Sequence, residues 1–256
     1  MLGYAISNDI LIEGIGLCVP GIYHRHQGTV WAPNIPGWVD YPLLYELNHA
    51  FPELGGKIYI ESDRTCYILG ETWKGKARGC RNAIDLAVGT GIGAGILSDG
   101  HIIRGFGDIA GAIGWMALSG QYDEKYRPCG NFEYFASGSG LVKNAGDIPD
   151  VHILSAEELF EACSKGDARA IEIMDKAIQF WGMATANLIS LLNPEIIVFG
   201  GGIFGPAARF IPRIRKEAEK WAQPVSMQQV RLEVSSLEGD AGLIGAGYLA
   251  LIPEDQ

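Results

Sequence analysis

Basic side chains are scarce: 20 Lys and Arg against 30 Asp and Glu leave the 256-residue chain with a formal charge of −10. Such a surface repels nucleic-acid backbones and anionic membranes unless cations cluster locally, and no such cluster stands out. Cysteine is also sparse. Cys18, Cys66, Cys80, Cys129 and Cys163 are odd in number, widely spaced and form no C-x-x-C. That argues against a disulfide framework or a self-contained zinc site, and a cytoplasmic location is expected. The first Lys or Arg is Arg25, so no secretory leader is expected. The most apolar stretch, residues 188–204, is interrupted by Asn193, Pro194 and Glu195 and cannot span a bilayer. There is no 20–50-residue repeat and no low-complexity tract.

What is abundant is glycine, 35 of 256 residues and roughly twice ordinary usage, within a chain that is 48% apolar. The apolar content supports a large core. The glycines imply many close backbone approaches, of which phosphate sites are one kind.

The pattern of elements reads as α/β. Residues 10–19 read as a strand ending in the turn Pro20-Gly21, and the Pro/Trp-rich stretch 31–38 is too rigid for a linker. Asp40 is placed to cap a helix over 41–51, residues 57–61 form a short strand, and Asp63 opens a helix to about Lys74. Residues 83–88 form an apolar strand running into the glycine cluster 89–95, and Asp99-Gly100 is a hairpin turn. Residues 105–114 are a glycine-rich loop, a helical segment starts at Phe132, and 147–150 are a polar connection. Ser155-x-x-Glu158 is a capping-box pattern. Ile171, Met174, Ile178, Trp181, Thr185, Leu188 and Leu192 follow helical spacing along the longest helix. A buried strand at 196–199, a turn at 200–202, a helix over 206–221, a strand at 230–234 and a helix over 241–251 complete the chain.

Two loops share a design, an apolar strand followed by a glycine cluster: Leu86-Ala-Val-Gly-Thr-Gly-Ile-Gly93 and Ile196-Ile-Val-Phe-Gly-Gly-Gly202. Glycines there let backbone N–H groups approach an anion, and the Thr90 hydroxyl can donate to a phosphate oxygen, although either loop alone could be a plain tight turn. Gly200-x-Gly202-x-x-Gly205 matches a dinucleotide fingerprint, but too little chain follows for that fold. Gly70-x-x-x-x-Gly75-Lys76-Ala77 lacks the Ser or Thr of a P-loop and closes a helix instead of following a strand. Asp63 at a helix start can accept a proton from a bound hydroxyl or merely cap the helix, and Glu133 has the same two readings. Asn34 is either a ligand-facing amide or an ordinary turn residue. The tryptophans at 31, 38, 73 and 115 read as packing residues.

Taken in order, these segments resemble the ROK family (repressor, open reading frame, kinase) of the sugar kinase/hexokinase/actin-like superfamily. Gly14-Ile-Gly-Leu-Cys-Val-Pro-Gly21 resembles the family's apolar strand and turn, and Trp31-Ala-Pro-Asn-Ile-Pro-Gly-Trp38 its sugar-contacting loop. Glu61-Ser-Asp-Arg-Thr-Cys-Tyr-Ile-Leu-Gly-Glu71 is similar to its E-N-D-A-N-x-A-A-L-G-E segment. Gly89-Thr-Gly-Ile-Gly-Ala-Gly-Ile96 resembles the second phosphate loop, Glu133-Tyr-Phe-Ala-Ser-Gly138 the segment after the zinc knuckle, Asn193 to Gly202 the adenosine segment, and Asp240 to Gly247 the closing helix.

The resemblance implies an actin/hexokinase-like two-lobed fold, with residues 1–62 and 241–256 in the small lobe and 63–240 in the large one. It implies a kinase passing the γ-phosphoryl group of ATP, with Mg²⁺, to a hydroxyl of a hexose or amino sugar. Asp63 would be the base, and Asn34, Ser62 and Glu133 would contact the sugar. Thr90 and Gly91 would hold phosphate oxygens, and Gly200, Gly201 and Gly202 would flank the adenosine. The family's first phosphate loop, D-x-G-x-T, has no match here, so the small lobe is expected to be truncated at its N-terminal side. Its E-x-G-H is replaced by Ala112-Ile-Gly-Trp115 and its zinc knuckle is reduced to Cys129-Gly130, so no structural zinc is expected. These departures keep open a non-catalytic sugar- or nucleotide-binding protein on the same fold. An unpaired sheet edge in the small lobe would favour a homodimer.

Overall fold

The computed structural model describes residue 4 and residues 7–146 and 153–252. Two sheets organise it. In the first, β1 (Ile15–Val19) runs parallel to β4 (Ile58–Ser62), with Val19 opposite Ser62. A hairpin of β2 (Ile22–His24) and β3 (Thr29–Trp31) and a helix, α1 (Leu43–Ala50), lie between them in sequence. Val19, Tyr23, Val30, Leu43, Leu54, Ile58 and Ile60 form a separate small core.

The second sheet has five strands in the order β7-β6-β5-β8-β9: β5 (Ala83–Val88), β6 (Ile92–Ser98), β7 (His101–Ile102), β8 (Ile196–Gly200) and β9 (Arg231–Val234). The β5–β6 and β6–β7 pairs are antiparallel, whereas β5–β8 and β8–β9 are parallel. Strands buried on both faces tolerate apolar side chains at every position, which is why β8 reads as the continuous run Ile196-Ile-Val-Phe199.

The helices are α2 (Asp63–Trp73), α3 (Asn131–Ala136), α4 (Gly138–Gly146), α5 (Ala156–Ser164), α6 (Ala168–Leu192), α7 (Ile211–Ala218), α8 (Pro224–Gln229) and α9 (Ala241–Leu249). On one face of the large sheet, Ile84, Leu86 and Val88 join Met174, Ile178, Trp181 and Leu188 of α6 in the main core. On the other face, Ala83, Ile196 and Val198 meet Ile68 of α2. Asp167 caps α6 by accepting the N–H groups of Arg169 and Ala170, and Asn193 ends it in the left-handed region at φ 44°.

Several expectations shift. The first strand starts at Ile15, not residue 10. Asp40 caps nothing: Tyr41 is held extended by bridging to Val30, so the helix starts only after Pro42. The glycine cluster 89–95 is mostly strand, with only 89–91 forming the turn. Residues 206–221 split into a 3-10 turn, Pro206–Phe210, and α7, because Pro212 has no N–H to continue a helix through its position. The β2–β3 hairpin and α8 are too short to leave a periodic signal in the sequence. Ile171 is exposed, the buried face of α6 opening instead with Ala170 and Ile173, and Trp31 and Trp115 are exposed rather than packed. The polar connection 147–150 lies outside the described residues.

Two glycines let α2 pack closely on its neighbours. A Cβ at Gly95 of β6 would stand 2.1 Å from the Arg64 carbonyl oxygen of α2, and one at Gly245 of α9 would stand 1.8 Å from the Cys66 carbonyl oxygen. Gly247, one helix position pair further on, would place its Cβ no nearer than 3.9 Å from the Trp73 ring. Gly245→Ala is therefore expected to cost roughly 1–3 kcal/mol by forcing α9 off α2. Gly247→Ala should be neutral or stabilise by up to about 1 kcal/mol through helix propensity. Urea unfolding of both variants checks the contrast.

Candidate active site

Asp63 is the first residue of α2, directly after β4 delivers the chain to the edge of the small sheet. It is not a capping residue. Its Oδ1 accepts the adjacent Arg64 N–H at 2.8 Å, while the N-cap position belongs to Ser62, whose side chain makes no capping bond. Burial raises the affinity of the Asp63 carboxyl for its proton, opposed by the Arg64 N–H and the Arg64 charge. A half-buried carboxylate at a helix N-terminus is available to take a proton without being a fully hydrated anion.

Where α2 starts relative to the glycine turns follows from the close packing just described. A Cβ at Gly93 would be 2.9 Å from Cδ of Arg64, so the first turn of α2 lies over the beginning of β6, next to the 89–91 turn. That turn is clamped from a second side: the Gly138 and Ser139 N–H groups, opening α4, donate to the Gly89 and Thr90 carbonyls at 2.8 and 3.4 Å. Thr90 itself is exposed. Gly201 takes φ 82°, and a Cβ there would stand 2.3 Å from the Val88 carbonyl oxygen. The two glycine turns, 89–91 and 200–202, therefore meet at the C-terminal ends of adjacent parallel strands β5 and β8, where α/β sheets form ligand crevices.

The residues assigned to the sugar divide. Glu133, in the first turn of α3, reaches the 89–91 turn: its Oε2 accepts the Ile92 N–H at 2.6 Å and fills the space beside Gly91 and Gly114. Burial pushes its carboxyl up and the Ile92 N–H pulls it down. The Ser62 hydroxyl is buried and paired with the Thr65 hydroxyl at 3.3 Å. Asn34 projects from the turn 32–38, exposed, and among the described residues no hydrogen bond joins it to α2. Its loop is held at this end of the small sheet by Gly21, where a Cβ would be 2.2 Å from the Trp31 carbonyl oxygen.

A cleft of about 530 Å³ opens from the second glycine turn and is lined by Gly200, Gly201, Gly202, Phe204, Ser235, Tyr67 and Asp85 among others. Tyr67 stands one helical turn after Asp63 on the same face of α2, and burial together with the Asp63 charge pushes its phenol up. Asp85 sits mid-strand in β5, 1% exposed, and its Oδ1 has no hydrogen-bond partner. Burial, then the Glu71 charge, pushes its carboxyl well above the ordinary range. Leaving such an atom unpaired costs about 1–3 kcal/mol. Asp85 and Tyr67 were missed in the sequence. For Asp85 a signal was present, a lone acid inside Ala83-Ile-Asp-Leu-Ala-Val88. For Tyr67 only its spacing of four from Asp63 could have served. Among the described residues, no group of three His, Cys, Asp or Glu side chains is gathered as a metal cage.

The ROK family model matches residues 5–252. A glucokinase of Halalkalibacterium halodurans is 33% identical over 266 positions, covering 96% of this chain and 78% of the relative. A ROK hexokinase from Thermus thermophilus, 28% identical, superposes with a TM-score of 0.81 over 96% of this chain and 81% of its own. A ROK glucokinase from Streptomyces griseus, solved with glucose and AMPPNP, is 25% identical with a TM-score of 0.75, covering 96% and 83%. The fold is the actin/hexokinase-like α/β fold, and the chain belongs to the ROK family.

Proposed function

We propose that this protein is an ATP-dependent sugar kinase that transfers the γ-phosphoryl group to a hydroxyl of a hexose or amino sugar. The observation that supports this reading is the first turn of α2 lying over β6, where Arg64 packs on Gly93 and Gly95, just after the 89–91 turn that the 200–202 turn also abuts. Residues 1–62 with 241–256 then act as the small lobe, residues 63–240 as the large lobe, and the sugar enters from the side of Asn34, Ser62 and Glu133.

In the transfer, the sugar oxygen forms its bond to the γ-phosphorus as the bond to the bridging oxygen of ADP breaks, and the hydroxyl proton passes to Asp63. Thr90 and Gly91 orient phosphate oxygens, and Gly200, Gly201 and Gly202 admit the nucleoside close to the backbone. Phosphoryl transfer depends mainly on positioning and charge neutralisation, so one well-placed carboxylate and a frame of amides suffice as protein machinery. Mg²⁺ supplies neutralisation of phosphate charge when bound. The donor set fits a cation carried in by the nucleotide, since the described acids are dispersed rather than caged. The two-stranded β1–β4 sheet has no further strand among the described residues, which supports a homodimer covering its edge. No described helix is long and apolar enough to cross a membrane.

Asp63→Asn should lower kcat by roughly 10²–10⁴-fold while leaving nucleotide affinity unchanged, read by ADP release and calorimetry. Unchanged turnover would remove Asp63 from the base role, and sugar binding without any turnover in the wild type would favour the non-catalytic reading. A base must be ionised to act, and burial raises the Asp63 pKa, so kcat/KM should fall as pH drops through a value above the usual aspartate range. Arg64 opposes that rise, so Arg64→Ala should move the acid limb to higher pH. Sedimentation at micromolar concentration should give the mass of two chains, and a monomer there removes the dimer from the proposal.

A further inference from the structure

The kinase reading leaves one costly feature of the cleft unused. Asp85 occupies the centre of the five-stranded sheet, paired through its backbone with Gly95 on one side and Val198 on the other. Its neighbours on the same face, Ala83 and Ala87, are small, and Ala83 packs with Ile68 and Val198 in an apolar cluster. A leucine or valine would suit that face. Instead the position holds a carboxyl, 1% exposed, with Oδ1 unpaired.

The surroundings neither neutralise nor satisfy it. From α2 come the Tyr67 phenol and the buried Glu71 carboxyl, whose own oxygens take the Lys76 N–H and the Ser235 hydroxyl. Lys76, whose N–H bonds Glu71, has its ammonium paired with Glu233 at 3.5 Å. What Asp85 does face is the space at Gly200: a Cβ there would come within 3.2 Å of its Oδ2. The missing side chain leaves the carboxyl open toward the cleft that both residues line.

We propose that Asp85 is a specificity-determining residue at the floor of this cleft, which hydrogen-bonds the nucleoside part of the bound nucleotide through a donor on its sugar or base. The inference rests on the nucleotide reading above. Burial favours the protonated form of the carboxyl, which offers one donor and one acceptor. Ribose hydroxyls and the amino edge of adenine both match that pair. A buried group built to pair with a ligand donor discriminates sharply against a ligand that lacks it, because the group is then left unsatisfied again.

The test measures, by calorimetry, ADP, 2′-deoxy-ADP and the diphosphate of purine riboside, which lacks the 6-amino group, against wild type, Asp85→Leu, Asp85→Ala and Asp85→Asn. Leu and Ala should weaken ADP about tenfold or more, and Asn, which keeps a donor and an acceptor, should stay within about threefold. The penalty should vanish for whichever analogue lacks the contacted group: for 2′-deoxy-ADP if the ribose is read, for the purine riboside if the base is. A residue that only shapes the core would alter the melting temperature of the variants without moving these ratios. ADP affinities of Leu and Ala variants within twofold of wild type overturn the proposal. Wild type that binds sugar but no ADP overturns the kinase reading itself, and the Asp85 assignment falls with it. If Asp85→Leu does not fold, Asp85→Ala, which adds no bulk, carries the comparison.

Discussion

The close contact of α2 with its neighbours is the constraint on which the rest of the structure depends. Gly95 admits the Arg64 carbonyl from the sheet side, Gly245 admits the Cys66 carbonyl from α9, and Gly70 of α2 accepts Ala241, where a Cβ would be 2.3 Å from its carbonyl oxygen. α9 in turn presses on β1 through Gly16, where a Cβ would be 1.6 Å from the Ala246 carbonyl oxygen. One helix is thus wedged between the large sheet and the helix that reaches the small one. Its first residue is Asp63, so the position of that carboxyl is set by backbone contacts with almost no slack.

The same wedge creates the electrostatics of the crevice. Burial raises the proton affinity of Asp63, Glu133 and Asp85, and only Asp63 and Glu133 have an N–H that pulls the other way. The cleft at Asp85 is also lined by Glu238, and among the described residues no Lys or Arg lines it. On the proposed function, a chain of net charge −10 that takes up a polyphosphate would rely on backbone amides, hydroxyls and an accompanying cation. In the proposed kinase the glycine turns at 89–91 and 200–202 would offer the amides, and Gly201 packs directly against the Val88 carbonyl.

Much of this was legible in particular residues. The run Ala83 to Val88 is bounded by a glycine and appears as β5 with those limits, and Asp99-Gly100 makes the two-residue turn between β6 and β7 with both residues at positive φ. The three-and-four spacing from Met174 to Leu188 is the buried face of α6. The glycines at 93 and 95 were misleading. They resemble a loop in sequence, yet they lie in a strand because their use is to admit Arg64 of a helix some 30 residues earlier.

By itself, the amino-acid sequence determined the α/β class, the main strands and helices, and the family to which the segments belong. These follow from periodicity and turn chemistry, which act over a few residues of chain and leave their mark there. Only the tertiary structure decided that Ser62 turns its hydroxyl to Thr65, that Glu133 holds the Ile92 amide, and that Asp85 lies unpaired beneath Gly200. Those outcomes depend on which surfaces meet across long stretches of sequence and how much water they expel. Desolvation of a carboxyl is a property of that meeting and has no counterpart in the order of residues around it.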